Sequence, residues 1–342
     1  MSKKYTIITY GCQMNHHDSE KISYLLETLG YTKEDDLEKS DFIIYNTCLV
    51  RENAELKVYG QLGALKNLKR KKPEMIIAVC GCMMQTGDAR ATIISKYKHV
   101  DIIFGTKNIS RLPSLIARHR STGEVIVDIE EEDIIDDETP INREHPFIAY
   151  VNIMTGCNNY CTFCIVPYAR GKEISRTPES IINEIKDLAK KGYKEITLLG
   201  QNVNSYGKDF KNGDNFAKLL EEICKVEGDY IVRFVSPHPR DFTDDVIDVI
   251  AKNDKISKCL HLPLQSGSSQ VLRKMGRGYT KEKYLALVDK IKSKIPGVAL
   301  TADIIVGFPG ETEEDFLDTV DVVQKVSFDN SYMFMYSIRK GT

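Results

Sequence analysis

Apolar residues along the chain follow two spacings, one typical of strands and one typical of helices. Short runs rich in β-branched and aromatic residues predict strands. In the first third of the chain these runs lie at 5–10, 42–45, 75–79 and 102–104. Between the first two, Ile22, Leu25, Leu26 and Leu29 show the i, i+3, i+4, i+7 spacing of a helix with one buried face. The alternation of strands and helices predicts an α/β domain on a doubly wound parallel sheet.

An acidic segment interrupts this alternation. Residues 129–145 are rich in Asp and Glu, contain Pro140 and show no apolar period. Because such a segment cannot bury a core, we expect an exposed linker there. It divides the chain into a predicted first domain at 1–128 and a second at 146–342.

The alternation resumes after the linker and predicts six more strands. They lie at 150–154, 196–199, 231–235, 259–264, 300–306 and 332–336. Helix starts are also visible between them, since Thr177 can cap a helix whose first residue is Pro178. Six strand–helix units predict a partial (β/α)6 barrel, in which chemistry gathers in the loops at the carboxyl ends of the strands.

Charge, apolar content and cysteine number restrict the possible partners, location and cysteine roles. The chain has 342 residues and a formal net charge of −2, so no strong overall positive field indicates a nucleic-acid partner. It contains neither a signal-peptide pattern nor about 18 consecutive apolar residues, and we expect a cytoplasmic protein with no membrane association. In that reducing compartment its nine cysteines are expected to serve metals or catalysis more than disulfides.

Three cysteines form a tight motif directly after the first predicted barrel strand. Cys157, Cys161 and Cys164 have C-x3-C-x2-C spacing. Thiolates are the usual ligands of a [4Fe–4S] cube, and this loop can hold three of its corners. The remaining iron can then bind the amino and carboxylate groups of S-adenosylmethionine (SAM). A zinc loop or three core cysteines are the alternatives, although zinc usually takes four ligands and no His or Cys follows closely enough to supply the fourth.

A second set of cysteines follows the first three strands. Cys12, Cys48 and Cys82 each stand where a predicted parallel strand turns toward its helix. The three can converge at one edge of the sheet and share a ligand. Because free cysteine is often a buried small apolar residue, the positions alone leave a core role equally open.

Several motifs resemble one family. The loop GCNNYCTFC, with Phe163 before its last cysteine, resembles the radical SAM superfamily, and YGCQMN, NTCLVRENAELKVYGQLGALK and VCGCMMQ resemble the amino-terminal domain of the methylthiotransferases. LLGQNVNSYG, SPHPRDF, HLPLQSGS and TADIIVGFPGET are similar to the tRNA branch of that family. The resemblance implies that Cys12, Cys48 and Cys82 bind a second [4Fe–4S] cluster with one free iron. Cys80, at the end of an apolar strand, is interpreted as a core residue.

The resemblance also implies an activity. These enzymes use SAM and two [4Fe–4S] clusters to insert sulfur and transfer a methyl group. The branch matched here converts N6-isopentenyladenosine next to the anticodon to its 2-methylthio derivative, after a 5′-deoxyadenosyl radical removes hydrogen from C2 of the adenine. The implied partners are the tRNA anticodon loop, an electron donor such as flavodoxin or ferredoxin, and a sulfur donor. We expect the protein to act as a monomer.

Four residues are assigned to cofactor binding. Gln201, Gln265 and Gly307 lie at predicted strand ends facing the proposed cluster, where polar side chains and close backbone approach suit a nucleoside. Phe163 is assigned with them from its place in the cysteine loop. An ordinary strand-to-helix turn explains the glycine–proline run around Gly307 equally well.

Three alternatives remain open. A sibling methylthiotransferase acts on threonylcarbamoyladenosine in tRNA or on an aspartate of a ribosomal protein. The second alternative is a non-catalytic iron–sulfur or RNA-interaction module, which would not cleave SAM.

The family normally continues into a small β-barrel RNA-binding (TRAM) domain. We expect this domain to be absent because the sequence stops just beyond the sixth strand. The third alternative is therefore a core that cleaves SAM but turns over tRNA poorly.

Overall fold

The computed structural model describes residues 2–49, 52–129, 135–136 and 139–342. The chain divides into two compact units. The first contains Met1–Glu144 and Tyr168–Lys172, and the second contains His145–Pro167 and Glu173–Thr342. This division differs from the predicted domains in that Tyr168–Lys172 groups with the first unit.

The first unit contains a six-stranded sheet in the order β2-β1-β3-β4-β5-β6, with every neighbouring pair parallel. The strands are β1 (Lys4–Thr9), β2 (Thr32–Lys33), β3 (Phe42–Thr47), β4 (Ile76–Gly81), β5 (Ile102–Phe104) and β6 (Ile126–Asp128). The helices are α1 (Gln13–Thr28), α2 (Glu52–Lys71), α3 (Gly87–Lys96) and α4 (Leu112–Thr122). The predicted doubly wound sheet is confirmed. Its order reverses between β1 and β3, and ligands bind outside the carboxyl ends of the strands at such a switch point.

The two central strands of this sheet, β3 and β4, are mostly apolar because both of their faces are covered. Every residue of β3 and β4 is buried, as a parallel strand covered on both faces requires. On α1, Ile22 and Leu26 are fully buried and belong to the core cluster, whereas Leu29 is 44% exposed. The predicted apolar face is therefore shorter than its spacing suggests.

Polar residues on another side of α1 are also buried. Glu20 and Lys21 are buried, and described residues of the acidic segment pair with them. Lys21 Nζ lies 3.3 Å from Asp136 Oδ2, Arg143 Nη1 lies 3.8 Å from Glu20 Oε2, and the Asn142 N–H donates to the Glu20 carbonyl at 3.2 Å. The described part of 129–145 thus packs on a charged helix face and is not the exposed linker predicted. Residues 130–134 and 137–138 of that segment lie outside the described residues.

The second unit contains two parallel ladders, β11-β10-β7 and β12-β13-β14. Its strands are β7 (Ile148–Asn152), β8 (Met154–Thr155), β9 (Ile174–Ser175), β10 (Glu195–Leu199), β11 (Ile231–Phe234), β12 (Cys259–His261), β13 (Ala299–Val306) and β14 (Asn330–Met335). Its helices are α5 (Val166–Arg170), α6 (Pro178–Lys190), α7 (Phe216–Lys225), α8 (Asp244–Lys252), α9 (Ser269–Lys274), α10 (Lys281–Lys294) and α11 (Glu313–Val326). The last residues of α5 belong to the first unit.

A parallel bridge between Val232 and Ile256 continues the first ladder toward β12. Six parallel strands alternating with helices confirm the predicted partial (β/α)6 barrel. The Thr177 cap is present as predicted, since its side-chain oxygen accepts the Ser180 N–H at 3.3 Å. The antiparallel pair β8–β9 was not predicted, because two-residue strands leave no alternation in the sequence.

Within the described ranges, no helix is long and apolar enough to cross a bilayer.

The buried centre of the first sheet gives a stability prediction. Ile44 of β3 is fully buried, whereas Val127 of β6 is 43% exposed. Ile44→Ala leaves a cavity and is expected to cost about 2–5 kcal/mol of unfolding free energy. Val127→Ala is the matched control and should cost less than about 1 kcal/mol, because its surface is already hydrated. Denaturant unfolding of both metal-free variants measures the difference, and equal losses would contradict this description of the core.

Candidate iron–sulfur sites

The first cysteine trio lies at the carboxyl ends of three adjacent strands. The ladders pair Thr9 with Asn46, and Thr47 with Gly81, so β1, β3 and β4 end level with one another. Just beyond these ends, Cys12 is the N-cap of α1, Cys48 directly follows β3, and Cys82 begins the short 3-10 helix Cys82–Gln85. The predicted convergence at the switch point of the sheet is therefore present in the backbone.

Two glycines allow these loops to approach closely. Gly11 has a φ of +126°, and a Cβ there would lie 2.9 Å from the Cβ of Cys48. Gly81 has a φ of +94°, and a Cβ there would lie 2.6 Å from the backbone nitrogen of Thr47. Both distances are shorter than side chains tolerate, and both backbones are in the region that favours glycine. The residues before Cys12 and Cys82 must therefore be small for the three cysteine loops to meet.

A buried asparagine pair fastens the same loops. The Asn15 amide donates to the Asn46 side-chain oxygen at 3.2 Å and to the Thr47 carbonyl at 3.0 Å. The Asn46 amide donates in turn to the Asn15 carbonyl at 2.8 Å and to the Ser19 hydroxyl at 2.9 Å. Both side chains are fully buried. The sequence motifs contain both residues, but no spacing rule identified them as functional.

The thiols of the first trio are near enough to act on one another electrostatically. Burial raises the pKa of the Cys82 thiol to about 11, the charge of Arg170 lowers it, and the charges of Cys48 and Cys12 raise it. The metal-free thiol is therefore protonated near pH 7, and binding of a metal requires loss of that proton. Cys80 is 1% exposed and packs in the apolar core of the first unit, which agrees with the core role inferred from its sequence position.

The second trio lies on one loop in the second unit. The Gly156 N–H donates to Gln201 Oε1 at 2.6 Å, which holds the start of the loop next to Cys157. On its far side, the Thr162 N–H donates to the Met275 carbonyl at 3.0 Å. Tyr160 has a φ of +46°, an unusual value for a bulky residue. The loop is thus fixed at both ends and strained between its first two cysteines.

The thiols of this loop also influence one another. Burial raises the pKa of Cys157 to about 12, the Asn159 backbone hydrogen bond lowers it, and the charges of Glu173, Cys164 and Cys161 raise it. Burial likewise raises the pKa of Cys164. The three cysteines therefore form one electrostatic group with few water contacts.

The thiols of both trios suit a [4Fe–4S] cluster better than a single metal ion. Among the described residues, no three His, Cys, Asp or Glu side chains converge closely enough to hold one metal ion. A cubane needs a wider arrangement, since each thiolate binds a different iron. Each trio combines three grouped thiols with close backbone approach or a fixed loop, and this arrangement fits a [4Fe–4S] cube bound at three corners.

The residues assigned to cofactor binding lie in different surroundings. Phe163 packs in a small apolar cluster with Val271, Met275 and Phe308. Gln265 is buried in left-handed backbone at φ +66° and bridges to Ile304. The Gly307 N–H is bonded to the Glu311 carboxylate. Gln201, as described above, supports the cysteine loop. Their roles toward SAM stay predictions.

Two buried arginines contact cysteines of the two trios and were not found from the sequence. Arg170 Nε donates to Cys82 Sγ at 3.2 Å, and Arg277 Nη1 donates to Cys161 Sγ at 3.4 Å. A single arginine has no spacing that distinguishes it from a surface residue. The available signal was their place in two further segments that resemble the same family, YARGKEISR for Arg170 and RGYT for Arg277.

Two further residues with side chains that can bind metals, His238 and Cys259, lie outside the trios. Burial and the charges of Arg277 and Arg240 lower the pKa of His238 to about 3, so the ring is neutral near pH 7. Its Nδ1 accepts the Arg240 N–H at 3.2 Å, which suits a structural residue. Cys259 is exposed. It lies in β12, where one of every two side chains points away from the core.

Comparison with known proteins assigns each unit. Residues 151–323 match the radical SAM superfamily, and residues 4–105 match the uncharacterized protein family UPF0004. Over 347 residues the chain is 64% identical to tRNA-2-methylthio-N(6)-dimethylallyladenosine synthase of Fusobacterium nucleatum subsp. nucleatum, covering 99% of this chain and 78% of that protein. The synthase of the same name from Finegoldia magna is 59% identical, with coverage of 99% and 73%.

A solved structure has a similar fold. The radical SAM methyltransferase TsrM from Kitasatospora setae, determined with cobalamin and a [4Fe–4S] cluster, superimposes with a TM-score of 0.68 at 15% identity. The match covers 98% of this chain and 72% of that chain. At this identity the likeness concerns the fold alone. The sequence relatives and the family match lead to one assignment: the chain belongs to the family of tRNA-2-methylthio-N(6)-dimethylallyladenosine synthases within the radical SAM superfamily, as its motifs predicted.

Proposed function

We propose that this chain is a radical SAM methylthiotransferase that converts N6-isopentenyladenosine next to the tRNA anticodon to its 2-methylthio derivative. The observation that carries the proposal is the presence of two cysteine groups, each with three thiols. Cys157, Cys161 and Cys164 lie on one fixed loop, and the other three lie at adjacent strand ends. Three ligands per cube leave one iron available to a substrate, whereas four ligands favour electron transfer alone.

The cofactors supply the chemistry that side chains cannot supply. Bound at these trios, two [4Fe–4S] clusters and SAM provide reductive radical formation, sulfur transfer and methyl transfer. The protein's own contribution is to hold six thiols in place and to keep water away from four of them, since Cys12 is exposed and Cys164 is partly buried. Burial of Cys48, Cys82, Cys157 and Cys161 supports this role. Gln201 contributes by fixing the backbone next to Cys157.

The partners and location follow from the same chemistry. We assign a tRNA anticodon loop as substrate because its unpaired bases are accessible to an active site. An electron donor such as flavodoxin or ferredoxin and a separate sulfur donor are needed for turnover. Free cysteines throughout the chain suit the reducing cytoplasm. We propose that the protein acts there as a monomer.

Iron content tests the two-cluster assignment. After anaerobic reconstitution, the intact chain is expected to bind about eight irons, since each trio holds one cube. Changing either trio to alanine should remove about half of that iron. The matched control changes Cys224 and Cys259 to alanine, which should leave the iron content unchanged because both lie outside the trios. An intact chain with half of the expected iron or less would contradict the assignment.

Gly81→Ala tests the close approach in the first trio. The added Cβ would collide with the backbone of Thr47, and the φ of +94° disfavours any side chain. We expect a loss of more than about 1 kcal/mol of stability and a fall in iron toward the content of the chain without the first trio. Gly87→Ala is the matched control, because nothing lies within 4 Å of its Cβ position. Unchanged iron in Gly81→Ala would show that the approach is not required for binding.

Product analysis tests the activity and its siblings. The reconstituted chain, with reductant, SAM and a sulfur source, is expected to form a 2-methylthio nucleoside on isopentenylated anticodon-loop RNA, as detected by mass spectrometry. RNA without the isopentenyl group is the control and should stay unmodified. A product on threonylcarbamoylated RNA alone would favour the sibling activity. Absence of 5′-deoxyadenosine would favour a non-catalytic module.

A further inference from the structure

Each cysteine trio has a buried arginine bonded to one of its sulfurs. In the first unit, Arg170 donates through Nε to Cys82 Sγ at 3.2 Å and is 7% exposed. In the second unit, Arg277 donates through Nη1 to Cys161 Sγ at 3.4 Å and is 6% exposed. Burying a guanidinium is costly unless an anion or hydrogen bonds compensate for lost hydration. The compensation differs between the two sites.

Arg170 is neutralised by a carboxylate. Its Nη2 donates to Asp18 Oδ2 at 2.9 Å, and Asp18 is itself 7% exposed. The pair has no net charge, so the first trio receives a hydrogen bond to sulfur together with two opposite charges. Asp18 therefore offsets part of the positive charge that Arg170 presents to Cys82.

Among the described residues, the hydrogen-bond partners of Arg277 other than the thiol carry no formal charge. Its Nη2 donates to the Pro263 carbonyl and its Nε to the Tyr279 hydroxyl, both at 3.4 Å. The guanidinium also lies 5.6 Å from the centre of the Tyr279 ring. A carboxylate also acts on this trio without bonding to Arg277: Glu173 influences Cys157 and accepts the Asn158 N–H at 3.2 Å. The positive charge of Arg277 is thus directed toward Cys161.

A cluster bound by three thiolates is the anion that such an arginine can balance. Its net charge is negative and becomes more negative when it accepts an electron. A nearby positive charge and N–H donors to its sulfurs therefore favour the reduced form, because both stabilise the added charge. Burial strengthens these effects by lowering the local dielectric constant.

We propose that Arg170 and Arg277 are positioning residues, one for each cluster, and that they set the reduction potentials of the two clusters differently. Arg277 supplies a hydrogen bond and a positive charge to the cluster at Cys157, Cys161 and Cys164, and among the described residues its guanidinium is bonded to no carboxylate. Arg170 supplies the other cluster with a hydrogen bond and a positive charge that its bonded partner Asp18 partly offsets. This inference rests on the two-cluster assignment of the proposed function.

Redox titration of the full chain tests the proposal. Each cluster is followed by electron paramagnetic resonance in a chain whose other trio has been changed to alanine. Arg277→Gln should shift its cluster to a more negative midpoint potential, and Arg277→Lys, which keeps the charge, should shift it less. Arg170→Gln should shift the other cluster to a more negative potential. Asp18→Asn should shift it in the positive direction, because the charge of Arg170 is then uncompensated.

Matched controls separate local tuning from general disturbance. Arg233→Gln removes an arginine that pairs with Glu195 at 3.0 Å in the second unit, and Arg143→Gln removes one near Glu20 in the first. Neither should move a potential, and metal-free unfolding shows whether each variant folds. An Arg277→Gln potential equal to that of Arg233→Gln, or an Asp18→Asn shift in the negative direction, would overturn the proposal. Absence of clusters in the unmutated chain would instead overturn the proposed function.

Discussion

The candidate chemistry of this protein depends on the parallel alignment of its strands. In a parallel sheet all carboxyl ends lie at one edge, so loops far apart in sequence become neighbours. Cys12, Cys48 and Cys82 are brought together in this way, because β1, β3 and β4 end in register. The second trio needs no such help, since a single loop after β8 carries it. One architectural rule and one local spacing thus produce two groups of the same composition.

At both sites, the loops that carry the cysteines can come together only when buried polar groups are hydrogen-bonded. At the first, glycines 11 and 81 lack the side chains that would separate the loops, and the buried pair Asn15–Asn46 donates hydrogen bonds to buried backbone carbonyls. At the second, Gln201 fixes the loop next to Cys157. Buried polar groups are tolerated only when they are hydrogen-bonded. These contacts therefore explain why the surroundings of the thiols are polar within an otherwise apolar fold.

The sequence predicted the fold class and the candidate ligands, but not the groups around them. Long periodic segments such as β13 and the central strands β3 and β4 were recognised, whereas β2, β6 and the pair β8–β9 are too short to show a period. The cysteines were identified because their spacing or their place after a strand has a chemical meaning. Asp18, Arg170 and Arg277 have no such local pattern, since their role depends on contacts across 88 to 152 residues of sequence. The described part of the acidic segment was mispredicted because its charges pair with a charged helix face.

The central claim is that Cys157, Cys161 and Cys164 hold a cube whose remaining iron binds SAM. Electron–nuclear double resonance on the reduced chain lacking the first trio, mixed with SAM labelled with 15N at its amino group, tests it directly. The account predicts a 15N hyperfine coupling to the cluster that disappears when unlabelled SAM replaces the labelled compound. A reduced cluster with no such coupling, its last iron bound by a protein side chain, would contradict the account.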